Sequence, residues 1–505
     1  MANTINIPRT HLIMALCLPL AVLLGYFLAE PMDSASLAIV VVVLMLLAVP
    51  LLMKWHHPML VLSWNAIIAP AFLPGQPSVW MIMALAGLLF AMLNRSVQRN
   101  HQFIFIPSLA KPLLFLGGVV LVTAMLNGGI GFRTFGAARY GARGYFYIFA
   151  AIAGFFAFTS NRIPAEKVGL YLAMFFLPAL TGIIPNLTYS AGPSFYFLFN
   201  IFPIGSVMEQ MMGEGTFGQS IVRYNGLSMA SPCLYCYLLA SYGIRGVLDT
   251  SKPWRTFLFL LAVFGCLASG FRSVFILFAL TFGFLFYYEG LHRTRLLPAL
   301  LGVTLAGTAI MLPFTEKLPL VIQRTLSFLP ANVDPIVKRA ASDSTNWRID
   351  MWKMVLPEVP KYLFKGKGYN LDPNEMFMAQ EAALRHEPGS YGATIMAGDY
   401  HNGPLSIIIP LGLFGVLGFG WFLTASLRYL YRNYRFGDPR LKTANTFLLA
   451  AFVGKVVFFL LVFGSFYSDL FLFTGLMGFS VSLNGEPEAQ LDEQVAPEEA
   501  IEAFS

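Results

Sequence analysis

Apolar runs of about 20 residues recur from one end of this chain to the other, and they leave it few ways to fold. A hydrocarbon core of about 30 Å takes roughly 20 apolar residues of helix, and backbone polar groups inside it must be satisfied within the segment. Such runs occupy 11–29, 34–53, 57–73, 78–93, 112–127, 143–160, 166–185, 226–245, 255–270, 272–289, 296–313, 403–427, 444–463 and 466–482. They predict an all-α polytopic membrane protein with about 12–14 transmembrane helices. The range arises at 57–73 and 78–93, which are short and hold Pro70, Pro74 and Pro77 around their junction. There, a broken or re-entrant pair replaces two full spans. At 57% hydrophobic and 12% charged, the composition agrees; soluble domains carry about twice that share of charge.

Basic residues set the orientation. With a cytoplasmic N-terminus, the inner segments carry seventeen Lys and Arg, among them Arg95, Lys111, Arg245, Arg255, Arg293, Arg428 and Arg440. The short outer segments carry five: Arg133, Arg139, Arg143, Arg223 and Arg272. That is the bias expected of short loops, and it accounts for the net charge of +7 without a basic tail or stripe for nucleic acid. The run His11–Ala29 follows Arg9 and is too long for a signal-peptide core, so it reads as an uncleaved first helix. Cys17, Cys233, Cys236 and Cys266 all lie in apolar segments, and the single C-x-x-C has no second pair, so they read as packing residues.

The resulting plan has an N-terminal transmembrane bundle (1–313), a large extracytoplasmic loop of short helices (314–402), C-terminal transmembrane helices (403–483) and a disordered acidic cytoplasmic tail (484–505). The loop holds ten basic and ten acidic residues, so it is no polybasic lipid anchor. Trp347, Met351, Met354 and Val355 recur in it at helical spacing before Pro357 and Pro360, and a turn at Gly366-Lys367-Gly368 follows.

Arginine near a membrane core is costly, roughly 2.5–3.5 kcal/mol at mid-helix on insertion scales. The outward-facing arginines therefore single themselves out. Arg223 sits in Arg-Tyr-Asn-Gly just before a span, Arg272 in Ser269-Gly-Phe-Arg-Ser273 at a tight turn, and Arg348 on the loop helix four residues before Trp352. Each alone reads as a snorkelling side chain or an ion pair. Three on one membrane face, against the charge bias, point to an anionic site, and guanidinium forks suit a diphosphate. Arg133, Arg139 and Arg143 rank below them.

Of seven histidines, His11, His56, His57, His101 and His292 fall at cytoplasmic flanks and read as interface residues. His386, between Arg385 and Glu387, reads as surface. His401 differs. It stands in Gly398-Asp-Tyr-His-Asn-Gly403 immediately before a span, where Asp399 is placed to orient the ring of a general base. The bland alternative is a solvated His beside a helix cap. No D-x-D, H-E-x-x-H, Cys/His cluster, P-loop or dinucleotide fingerprint is present, so no metal or cofactor is expected.

These motifs stand in a telling order. Arg223-Tyr-Asn-Gly, Ser269-Gly-Phe-Arg-Ser and Asn346-Trp-Arg-x-x-x-Trp352 are followed by Pro357, Gly366-x-Gly368, His401-Asn402 and Leu411-Gly-Leu-Phe-Gly-Val416. The chain resembles the O-antigen ligase and polymerase superfamily of bacterial envelope enzymes, most strongly over 220–420, although its fourteen runs exceed the number of spans usual there. The resemblance implies a GT-C-type membrane glycosyltransferase in the bacterial inner membrane with its site facing the periplasm or exterior. It implies a donor glycan on undecaprenyl diphosphate, an acceptor hydroxyl on a lipid-core sugar, a glycan or a protein, and transfer with inversion and without metal or nucleotide. Membrane lipids are the other partners. By the same analogy Arg223 and Arg272 hold the diphosphate, His401 takes the acceptor proton, and Arg348 with Trp352 shapes the loop helix or contacts sugar and phosphate. Ligase and polymerase differ only in acceptor, which the residues leave open.

A transporter or flippase, for a small anion or a lipid-linked glycan, is the competing class. It predicts paired ionisable residues at mid-span; Lys455, in 444–463, is the main candidate, and no paired carboxylate is expected to accompany it. A scaffold protein would leave the arginine placement unexplained.

Overall fold

The structure, a computed structural model, describes residues 51–71, 73, 75–97, 103–130, 140–141, 143–207, 210–211, 221–330, 332–371, 377 and 392–486, with a few positions between 14 and 25. The expected spans at 11–29 and 34–53, Cys17, Arg133, Arg139, His386 and most of the acidic tail lie outside the described residues.

Among the described residues, eight helices are long and apolar enough to cross a membrane, and three shorter apolar helices join them. In chain order the principal helices are α1 (51–64), α2 (Val79–Val97), α3 (Pro107–Leu126), α4 (Arg143–Phe158), α5 (Val168–Phe176), α6 (Ile183–Ala191) and α7 (Asn225–Val247). There follow α8 (Pro253–Ala268), α9 (Arg272–Tyr288), α10 (Leu296–Met311), α11 (Leu320–Leu326) and α12 (Pro335–Val355). The last are α13 (Val359–Tyr362), α14 (Gly392–Met396), α15 (Gly403–Phe436), α16 (Lys442–Leu461) and α17 (Phe466–Asn484). The chain is an all-α polytopic membrane protein.

Prolines mark several helix starts, at Pro107, Pro253 and Pro335, where a missing N–H costs nothing. Inside a helix the same residue disturbs the ladder, and α15 kinks at Gly412, two residues after Pro410.

Two expected spans are interrupted. The 57–73 run is helical only to residue 64; the described residues between 65 and 78 are irregular, and α2 starts at Val79. Freed backbone and polar groups there find partners on neighbouring elements: Asn65 Nδ2 donates to Phe175 O (2.7 Å) and Ile67 N–H to Thr181 Oγ1 (2.9 Å). Of the two short runs, the first is broken after residue 64, whereas 78–93 falls within α2, which is long and apolar enough to span. The 166–185 run is likewise divided, by a 3-10 segment at Leu177–Gly182 between α5 and α6. Irregular backbone at membrane depth is tolerated where protein covers it.

The tightest core lies where α4 packs between α2 and α17, around the buried indole of Trp64 and the rings of Trp80, Phe158 and Phe471. His56 and His57 are also buried, not interfacial as expected; His57 Nε2 lies 3.0 Å from Phe158 O and 3.1 Å from Ser482 Oγ. Their environment is set by the α4 and α17 ends folding over them, which hydropathy does not register.

The loop beyond α10 is anchored at one end of the bundle. Residues Tyr140–Gly141 (β1) pair antiparallel with Asn370–Leu371 (β2). Asn370 Nδ2 donates to Asn127 O and Gly129 O, both at 2.8 Å, so the segment after α3 and the loop share that end. The loop's main helix is α12, capped by Asp334, whose carboxylate accepts from Ile336 N–H at 2.8 Å. Met351 and Val355 are its buried face, whereas Met354, expected beside them, is exposed. Helix continues in short pieces past Pro357 and Pro360 before the Gly366-Lys367-Gly368 turn.

Candidate active site

Arg223 and Arg272 are brought together by one turn. Tyr224 N–H donates to Ser269 O at 3.1 Å, which pins the strand-like approach to α7 against the α8–α9 connection. Gly270 in that connection has φ 80°, and a methyl there would lie 3.4 Å from Arg223 Cγ and 3.2 Å from Val321. The left-handed conformation and the crowding both require glycine. The Arg223 guanidinium carbon stands 5.8 Å from the Phe271 ring, and Arg272 is the first residue of α9.

The loop helix closes over this turn. Arg272 Nη2 donates to Ala341 O at 3.3 Å, in the middle of α12. Seven residues on, and so on the same helix face about 10 Å along the axis, stands Arg348. Burial, then the positive charges of Arg272 and Arg223, pulls the Arg348 guanidinium below its ordinary value, while Asp399 offsets part of the shift. Three guanidiniums and one carboxylate thus act on each other at the loop end of the bundle. The cationic excess, half-desolvated, suits an anion.

His401 stands beside them. Its Nδ1 lies 3.0 Å from Asp399 Oδ1, and the same oxygen receives the His401 backbone N–H at 3.3 Å. His401 has φ 49°, a left-handed conformation uncommon for a non-glycine residue. Asn402 follows as the α15 cap, accepting from Leu405 N–H at 3.0 Å. The His401 ring is flanked by Trp347 (5.5 Å) and Phe463 (4.9 Å), and Phe463 also faces the Arg348 guanidinium at 5.7 Å. The His401 and Asp399 side chains are 25% and 26% exposed, so a substrate can reach them.

Trp352 acts on the segment preceding the histidine: its Nε1–H donates to Tyr400 O at 2.8 Å. Tyr400, Met351, Val355, Leu405 and Ile409 form a separate small core with Trp347 and Trp352 against it. The lower-ranked Arg143 donates to Tyr147 Oη at 2.7 Å.

Beneath the arginines lies a cavity of about 500 Å³, walled by Trp64, Trp80, Tyr235, Phe278, Phe471 and Lys455. Leu277, Phe278 and Thr281 of α9 line it, about 8–14 Å down the helix from Arg272 at 1.5 Å per residue. Lys455 is paired after all. Asp469, on the following helix, sits 2.8 Å from its Nζ, which corrects the expectation of an unpaired lysine; a pairing across two helices leaves no mark in the spacing of either.

Residues 257–420 match the family model described as O-Antigen ligase. Over that segment the chain is similar to an O-antigen ligase domain. The match runs from α8 into α15, taking in Arg272, Arg348, Trp352 and His401 and stopping short of Arg223 and the α16–α17 hairpin. No curated protein matches the chain significantly. The domain supports membrane glycosyltransfer of the O-antigen ligase type. Phe463 and Asp469 were missed as neighbours of the site because hairpin geometry, not a local motif, brings them there, while Trp347 stands inside the Asn346-Trp-Arg motif but meets His401 only through the fold.

Proposed function

We propose that this protein transfers a glycan from a polyprenyl-diphosphate carrier, of which undecaprenyl diphosphate is the natural candidate, to an acceptor hydroxyl at the outer face of the bacterial inner membrane. The turn that joins Arg223 to Arg272, the Arg272 bond to the helix bearing Arg348, and the Phe463 ring shared by Arg348 and the His401–Asp399 pair carry this reading. Ionised Asp399 only accepts hydrogen bonds, so it selects the tautomer with the proton on Nδ1 and leaves the Nε2 lone pair for the acceptor. The acceptor oxygen attacks the anomeric carbon, its proton passes to Nε2, and the bond to the diphosphate oxygen breaks. The leaving diphosphate keeps the electron pair, and the guanidiniums stabilise that charge as it grows. The diphosphate is its own activated leaving group, so the reading requires no metal or nucleotide. The apolar cavity below the arginines gives the carrier's hydrocarbon chain a place to enter the bundle.

The test is transfer in nanodiscs with lipid-diphosphate glycan and a panel of acceptors, with and without chelator, comparing wild type with His401→Ala and Arg272→Ala. Release of polyprenyl diphosphate that collapses in both folded variants supports the reading, and the acceptor that gains mass separates ligase from polymerase. Turnover indifferent to both residues overturns it.

One observation favours transport: Lys455, paired with Asp469, stands at the wall of a cavity bordered by interrupted helices. Movement of lipid-linked glycan or anion across proteoliposomes, abolished by Lys455→Met and without acceptor transfer, would put that reading first.

A further inference from the structure

Lys455 and Asp469 are each only 8% exposed, on adjacent helices of an apolar bundle. Replacing a buried ion pair by apolar residues is often neutral or stabilising, so stability is a weak reason for one to be there. What this pair touches is more informative. Asp469 Oδ1 takes Lys455 Nζ at 2.8 Å, and its other oxygen takes the Ser465 N–H at 3.0 Å. The carboxylate therefore grips the short α16–α17 turn from below. One residue on, Phe466 N–H donates to Ser406 Oγ at 2.9 Å, tying the turn to the first helical residues after His401. Gly464 presses on Gly403: a methyl on Gly464 would stand 2.7 Å from Gly403 Cα. On the far side of the turn, Phe463 is the ring that lies 4.9 Å from His401 and 5.7 Å from Arg348. This hairpin lies beyond the segment that matches the ligase family.

We propose that Lys455 and Asp469 are positioning residues which, through the Phe463–Phe466 turn, hold His401 and Arg348 in their working orientation. The inference rests on the glycosyl-transfer reading. Asp469 fixes the turn, the turn fixes Phe463 and the start of α15, and these fix the two side chains that face substrate.

The deciding variant is the double replacement Lys455→Met with Asp469→Leu, made in the full chain in nanodiscs. Four quantities are measured: melting temperature, kcat, donor KM, and the rate at which diethyl pyrocarbonate modifies His401, followed by peptide mass spectrometry. The expected result is a melting temperature at or above wild type and a kcat lower by about 10–100-fold, the range for loss of a supporting shell. Donor KM stays within about twofold, and His401 modification changes severalfold. A double variant that matches wild type in both kcat and His401 modification overturns the proposal and leaves the pair a packing feature. If the double variant does not fold, Phe463→Leu, at a half-buried position, carries the same test: unchanged kcat and unchanged modification overturn it. Absence of turnover in wild type, with His401 modification still altered in the variants, sinks the glycosyl-transfer reading and upholds the positioning.

Discussion

Asp399 Oδ1 receives both the backbone N–H and the ring Nδ1 of His401, at 3.3 and 3.0 Å, so one carboxylate sets the fold and the tautomer of the proposed base together. The left-handed φ of His401 makes that grip necessary, since such a conformation persists only where its surroundings over-determine it. Asp399→Asn can offer its amide N–H to the ring and so select the wrong tautomer. The expected loss in kcat is about 10–100-fold, with donor KM nearly unchanged, against about 10²–10⁴-fold for His401→Ala. Equal, small effects of both substitutions would remove His401 from the mechanism.

Arg348 is expected to trade stability for function. Its guanidinium is half-buried beside two like charges, with Asp399 opposing them, and partial burial and then those charges depress its proton affinity. Arg348→Met removes the repulsion and the desolvation while keeping most of the stem's packing. Without substrate the variant should melt about 1–3 °C higher than wild type, or at the same temperature. Its transfer rate should fall about 10²–10³-fold, as when one donor to a developing anion is removed. A lower melting temperature together with full activity would make Arg348 a structural cation.

Guanidinium geometry, not charge alone, is what the turn at Ser269–Arg272 presents. Arg272→Lys keeps a positive charge but has no planar fork, and it loses the geometry that now reaches Ala341 O. A drop of about tenfold or more in kcat/KM for the lipid-diphosphate donor is expected. An unchanged kcat/KM in Arg272→Lys would show that charge alone, without the planar fork, is what the turn supplies.

How much of this could be read from residues alone follows the physics of each signal. The spans were legible because lipid demands long apolar helices, and the site motifs because arginine on that membrane face is costly enough to need a reason. The break after residue 64 was half-legible, through Pro70, Pro74 and Pro77. Burial of His56 and His57, the exposure of Met354 and the Lys455–Asp469 pair were not. The histidines and the ion pair depend on which face of one apolar helix meets another, and helices that are apolar all round carry little periodicity to reveal it; Met354 lies beside the buried stripe of α12 that Met351 and Val355 define, and spacing alone does not fix the stripe's edge. The site's outer wall, Phe463, has no motif either; it is placed by the closeness of two glycines 61 positions apart, Gly403 and Gly464.

That glycine contact gives the most direct structural test. A Cβ built on Gly403 would meet Phe459 O at 2.2 Å and the Phe459 ring at 2.6 Å, and a backbone oxygen cannot swing aside. Gly403→Ala must therefore push α15 from α16 at the residue that follows the His401-Asn402 pair. Overpacking of this kind costs about 1–3 kcal/mol, and here it also displaces the proposed base, so activity should fall further than the lost stability explains. Gly420→Ala, farther along the same helix with nothing within 4 Å of its added methyl, is the control. It should be neutral or slightly stabilising, because alanine loses less backbone freedom in a helix than glycine. Melting curves and transfer rates measured on both variants decide the matter. Full activity at a normal melting temperature in Gly403→Ala would show that the α15–α16 contact is looser than drawn and does not set the histidine.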